Sequence, residues 1–153
     1  MSGPNVGHKM KLYRNTGSHA SPTWSEVAEV GDVSIPDLSM GLAELKRRGS
    51  DFTKNLPTMI QSIAVEARLI HGLDTTTFSA IRSNFFAGDI EEYAVMDGDI
   101  TVSGSQGLRI PALVEAFPWD QPLEDVSGHD IRLAVAYWED GGSEVDPDWY
   151  TVP

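Results

Sequence analysis

The sequence has no cysteine, which excludes a disulfide framework and any thiolate metal site. It is also poor in positive charge: 11 Lys and Arg stand against 23 Asp and Glu, a formal net charge of −12. Tight binding to a phosphate backbone needs clustered cations, so this balance argues against it. No apolar run is long enough to span a bilayer, and the opening residues Met1 to Met10 contain no apolar signal core. A soluble chain made in a cytoplasm, with no membrane partner, is the expectation. Of the four histidines, His8, His19, His71 and His129, no two have ligand spacing on one helix face or strand, so no metal is expected. Asp97-Gly98-Asp99 and Asp146-Pro147-Asp148 lack the ~12-residue loop with a closing Glu that calcium requires, and read as turns. Ser103-Gly104-Ser105-Gln106-Gly107 is neither a nucleophile elbow nor a phosphate loop. Glu91 and Glu92 are adjacent strand residues, which point to opposite faces and cannot share a substrate. With no catalytic constellation left, the chain reads as a non-enzyme without cofactors, and as a protein that assembles.

What is present is the composition of one globular domain: 153 residues, 41% of them hydrophobic, enough to bury a core. The stretch from Met59 to Met96 organises the rest. Met59 to Ile70 alternates, with Ile63, Val65, Ala67 and Leu69 on one face, which predicts a long half-buried strand. A helix over 74–87 follows, capped by Asp74 or Thr75. Its apolar stripe of Phe78, Ile81, Phe85 and Phe86 is expected to lie in the core, and Gly88 ends it. Glu91 to Met96 returns to extended structure. Met10 to Arg14, Val30 to Met40, Leu108 to Phe117 and His129 to Trp138 are further strands, and Ile100 to Gly107 is a hairpin tip. The expected fold is mainly β with one helix. Residues 1–9 read as a flexible N-terminal arm, 10–138 as the domain, and 139–153 as an acidic C-terminal arm.

Gly41 to Lys54 is unusual. It is polar, carries Lys46-Arg47-Arg48, and lies between strand candidates, so it reads as a long functional loop. Basic residues concentrate in the first third of the chain and acidic ones at its end. Self-association through a basic loop of one copy and an acidic end of another follows as an expectation.

The segments Trp24-Ser25-Glu26-Val27-Ala28-Glu29-Val30-Gly31-Asp32-Val33, Arg47-Arg48-Gly49-Ser50-Asp51-Phe52, Phe78-Ser79-Ala80-Ile81-Arg82, Ala94-Val95-Met96-Asp97-Gly98-Asp99-Ile100 and Gly104-Ser105-Gln106-Gly107-Leu108-Arg109 stand in an order and spacing that resemble those of the tail tube proteins (major tail proteins) of long-tailed phages and prophages. The likeness runs from about Lys11 to Val152. It implies an antiparallel β-sandwich or half-barrel flanked by a single helix. It further implies hexameric rings stacked into a tube that DNA traverses transiently, without sequence-specific contacts. The implied partners are other copies of the chain and the tail terminator, tape-measure and distal tail proteins, in a virion tail assembled in a bacterial cytoplasm. By the same resemblance, the loop would carry the ring contacts through Glu44, Lys46, Arg47, Arg48, Gly49, Asp51 and Lys54. The strands around Met59–Ile70 and Leu108–Phe117 would line the lumen, where an acidic wall repels DNA and lets it slide. The alternative is a monomeric β-sandwich module binding carbohydrate or protein through Trp119, Trp138 and Trp149.

Overall fold

The computed structural model describes residues 10–27, 30–36, 38–60, 63–72 and 76–153. Among them are β1 (Lys11–Asn15), β2 (Trp24–Glu26), β3 (Val30–Ser34), β4 (Met40–Leu45), β5 (Lys54–Ile60), β6 (Ala64–Ile70), helix α1 (Thr76–Ala87), β7 (Ile90–Met96), β8 (Gln106–Ala116), β9 (Gly128–Val135), β10 (Glu139–Asp140), β11 (Ser143–Glu144) and β12 (Asp148–Thr151). The N-terminal arm expected over 1–9 and the helix cap expected at Asp74 or Thr75 lie outside the described residues.

Alternation dictates the main sheet. Leu12, Tyr93, Val95, Leu108, Ile110, Ala112, Val114, Val65, Ala67, Leu69, Ile131 and Leu133 each sit on the inward side of their strand and form one buried cluster. The strands carrying them pair antiparallel in the order β2-β1-β7-β8-β9-β6-β3. At 11 residues β8 is long enough to hold two partners along one edge, β12 on Gln106–Arg109 and β9 further on. Strands β2 and β3 are neighbours in the chain yet lie at opposite ends of this order. The amide of Val27, between them, donates to the carbonyl of Leu12 at 2.9 Å. Since β2 ends at Glu26 and β3 begins at Val30, leaving too few residues between them to cross a flat sheet of this width, the sheet curls around its core as an open half-barrel. Close packing also explains a glycine of the Gly104–Arg109 segment: a Cβ on Gly107 would fall 1.8 Å from the Val95 carbonyl oxygen of the neighbouring strand.

Helix α1 packs on this core through Phe78 and Ile81, both buried. Gly88 adopts φ 71°, and the amides of Gly88 and Asp89 both return to the Asn84 carbonyl, the left-handed ending that glycine permits. The expected apolar stripe needs correction at its end. Phe85 is half-buried and stacks on Phe117 with centroids 5.8 Å apart, whereas Phe86 is 79% exposed. Adjacent helical residues point about 100° apart, so only one of the pair can face the sheet. Phe78→Ala should accordingly lower unfolding stability by about 3–5 kcal/mol. Phe86→Ala should stay within about 0.5 kcal/mol, and urea denaturation of the two variants separates the roles.

Three further expectations change. The strand expected over Met59–Ile70 is two strands in different sheets, because β5 pairs with β4 while β6 pairs with β3 and β9. The loop expected over Gly41–Lys54 is largely the β4–β5 hairpin, with its turn confined to 46–53. The acidic arm over 139–153 is docked: β10 and β11 form a small hairpin, Val145 is buried, and β12 joins the main sheet. Tyr150 holds it there, packing half-buried near Trp24 on a second, smaller apolar cluster with Tyr13, Ala94, Met96 and Ile100.

Candidate functional site

The β4–β5 hairpin is a two-stranded sheet of its own. Every residue of β5 is exposed, and so are Leu38, Met40 and Leu42 before the turn. Met59 is 77% exposed and Phe52, in the turn segment, 76%. An isolated two-stranded hairpin is marginally stable in water, and a contiguous apolar surface of this kind marks an interaction site. Of the loop residues singled out from sequence, Glu44 lies in β4, Lys54 in β5, and Lys46, Arg47, Arg48, Gly49 and Asp51 in the turn segment between them. They are brought together at one tip and all are exposed. The ion pair of Lys46 Nζ with Glu44 at 3.6 Å is solvated and weak.

The base of this hairpin sits where β6 begins, since Met40 pairs with Ile60 four residues before Ala64. A different surface gathers where β6 ends. There His71 follows Ile70, and β9 starts opposite it, with Ile70 paired to Gly128. His71, Phe78, Arg82, Phe86, Trp119 and His129 line an open cavity of about 300 Å³. The histidines, 58 residues apart in sequence, meet with His71 Nδ1 3.1 Å from His129 Nε2. His129 Nδ1 lies 3.1 Å from the Pro118 carbonyl. That bond requires a proton on Nδ1, which leaves Nε2 to accept from His71. Sequence spacing did not reveal this pair because it forms across strands. Beside the cavity the 117–127 loop exposes Leu123, which is 99% accessible, together with Val126, Glu124 and Asp125.

Burial, with His71 alongside, holds the His129 imidazole below its ordinary value of 6.5. Folding therefore favours the neutral ring. This contribution to stability is fully present above pH 6.5 and is lost as the pH falls through the lower folded-state value. Thermal unfolding from pH 7.5 down to 5 should show this loss, and His129→Phe should flatten that part of the profile.

Two polar arrangements complete the outer surface. On β6, β8 and β9 the outward residues form a ladder in which Arg132 bonds Glu66 at 2.6 Å and Glu115 at 2.9 Å. Arg68 bonds Asp120 at 2.7 Å and Asp130 at 3.1 Å, and it draws the Asp120 carboxyl below its usual range. With Asp32 and Ser34 these strands bound a shallow groove of about 500 Å³. The strands expected to line a lumen, around Met59–Ile70 and Leu108–Phe117, meet here only through β6 and the end of β8.

Further along the same face of the sheet, on β7 and β8, Glu92 is 1% exposed and takes bonds from Arg109 Nη2 at 2.6 Å and Asn15 Nδ2 at 2.9 Å, with His19 Nδ1 at 2.7 Å. The same Arg109 nitrogen bonds the His19 carbonyl at 2.6 Å, and the guanidinium lies over Trp24 and Tyr150. This cluster pins the 16–23 loop and β12 to the sheet. Its sequence signal was a charged residue inside an apolar strand run, at Glu92 and again at Arg109. Among the described residues no group of three or more His, Asp or Glu is placed to hold a metal ion, and no helix is long and apolar enough to cross a membrane.

No protein-family model and no curated protein matches the sequence. The fold, in contrast, has clear likenesses. A chain from the virion of a native gene transfer agent particle superposes with a TM-score of 0.66 at 14% identity, covering 87% of this chain and 95% of that one. The SPP1 tail tube protein superposes with 0.64 at 15% identity, over 86% and 76%. A chain of the anti-feeding prophage cap, a tube-terminating cap, gives 0.69 at 9% identity, over 99% and 93%. Of the antiparallel β-sandwich or half-barrel with one flanking helix that the resemblance implied, the fold observed is the open half-barrel, and it matches the tail tube fold.

Proposed function

We propose that this chain is a non-enzymatic tail tube subunit of a phage or phage-like particle. Copies close into hexameric rings, and rings stack into a tube that DNA traverses. The observation that carries this reading is the projecting β4–β5 hairpin, apolar and exposed along its length, on a fold shared with tail tube proteins. A hairpin that cannot bury its apolar side within its own subunit is completed by another copy, and repetition around a ring multiplies individually weak contacts. The ladder face on β6, β8 and β9 is assigned to the lumen. Its two arginines are each engaged by carboxylates, and five acidic residues, Asp32, Glu66, Glu115, Asp120 and Asp130, outnumber them. Such a wall repels phosphate and lets DNA slide. Tail terminator, tape-measure and distal tail proteins are the remaining partners, in a virion tail assembled in the bacterial host cytoplasm.

A monomeric binding module is less well supported. Trp149 pairs opposite Leu108 near the start of β8 and Trp119 lies beyond its end, so the two form no common stacking platform. Sedimentation velocity over a concentration series tests the proposal: rings or filaments support it, and a single species near 16.7 kDa at every concentration overturns it.

A further inference from the structure

We infer that the cavity between His71, Phe86, Trp119 and His129 is the socket for the hairpin tip of a second copy, with Phe52 as the inserted side chain. This rests on the tube reading above and names the surface that receives the hairpin. Three observations lead to it. First, the hairpin base and the cavity lie at opposite ends of β6, whose seven residues at about 3.3 Å each separate them by roughly 20 Å. A hairpin rooted at one end of β6 and a cavity at the other are placed for contact between copies stacked end to end. Unlike patches at opposite ends make a heterologous contact, which propagates along an axis.

Second, both surfaces are apolar and exposed. Phe52 at the hairpin tip matches Phe86, Trp119 and Leu123 on the other side, and the cavity of about 300 Å³ is open and walled by rings. Third, the charges are complementary on either side of the anchor. Lys46, Arg47 and Arg48 before Phe52 face the Glu124 and Asp125 of the 117–127 loop, while Asp51 meets Arg82 at the cavity wall. Asp120 in that loop is already engaged by Arg68, which leaves Glu124 and Asp125 as the carboxylates offered to a partner. Desolvated at a packed centre, an aromatic anchor carries most of such a contact, and the charges at its rim set register and rate.

Carbodiimide cross-linking of assembled wild-type protein, followed by peptide mass spectrometry, tests the assignment without altering the chain. The expected result is a link from Lys46 to Glu124 or Asp125 in the assembled fraction, absent from dilute subunits. Assemblies that form while Lys46 links elsewhere or not at all would overturn the socket and leave the tube reading standing. Failure of the wild type to assemble would overturn both. A charge exchange gives a second readout: Glu124→Lys with Asp125→Lys should restore assembly to an Arg47→Glu, Arg48→Glu chain by about tenfold in concentration. No recovery would count against the pairing.

Discussion

Reversing the hairpin tip with Arg47→Glu and Arg48→Glu is expected to leave the isolated subunit unchanged in stability while raising the concentration needed for assembly about tenfold or more. Both side chains are exposed in the turn of a hairpin whose strands form, among the described residues, a two-stranded sheet of their own. Exposed surface substitutions away from caps and pairs shift stability by less than about 0.5 kcal/mol. Assembly differs because each ring repeats the contact. Two lost pairs worth a few tenths of a kcal/mol apiece, together with new like-charge repulsion, add up over a ring. Thermal unfolding and a pelleting assay on the same preparation separate the two effects. A drop in melting temperature equal to the loss of assembly would show that the hairpin serves the subunit fold instead.

A second large effect is expected at Arg109. Replacing it with Met leaves the Glu92 carboxylate buried without its guanidinium, and removing one partner of a buried pair typically costs about 3–5 kcal/mol. For a domain of this size that is a fall of roughly 10 °C in melting temperature. Replacing Glu92 and Arg109 together by Met should recover much of the loss, since two apolar residues leave no stranded charge. Because the pair also holds the His19 carbonyl and lies under Tyr150, limited proteolysis of Arg109→Met should begin in the 16–23 loop and at β12. Equal loss in the single and double variants would mean that packing of the side chains, and not their charge, is what matters.

Much of the fold could be read from the residues where one face of a strand is buried. Ile63, Val65, Ala67 and Leu69, and the run from Ile131 to Leu133, carry a period of two because water lies on one side only, whereas β8 is buried on both sides from Gly107 to Ala112. The hairpin strands β4 and β5 lack that contrast, since both of their faces meet solvent in the single subunit. Most of β4 therefore reads as loop and the end of β5 as the start of the next strand, and their apolar residues acquire meaning only against another copy. Strand β12 is only four residues long, and what docks it is Tyr150 against a tryptophan more than a hundred residues away in sequence. The buried Glu92 cluster has the same origin: its contacts to Asn15 and His19 span 77 and 73 residues, beyond any local pattern. A charge in an apolar run was its one visible sign.

The fold, the exposed hairpin and the cavity at the far end of β6 all bear on one claim, that this chain builds a tube. Electron microscopy of the purified, concentrated wild-type protein tests it most directly. The account predicts hollow rings or tubes whose end-on averages have six-fold symmetry and whose outer edge carries the helix. Separate particles of subunit size, persisting at the highest concentration, would contradict it.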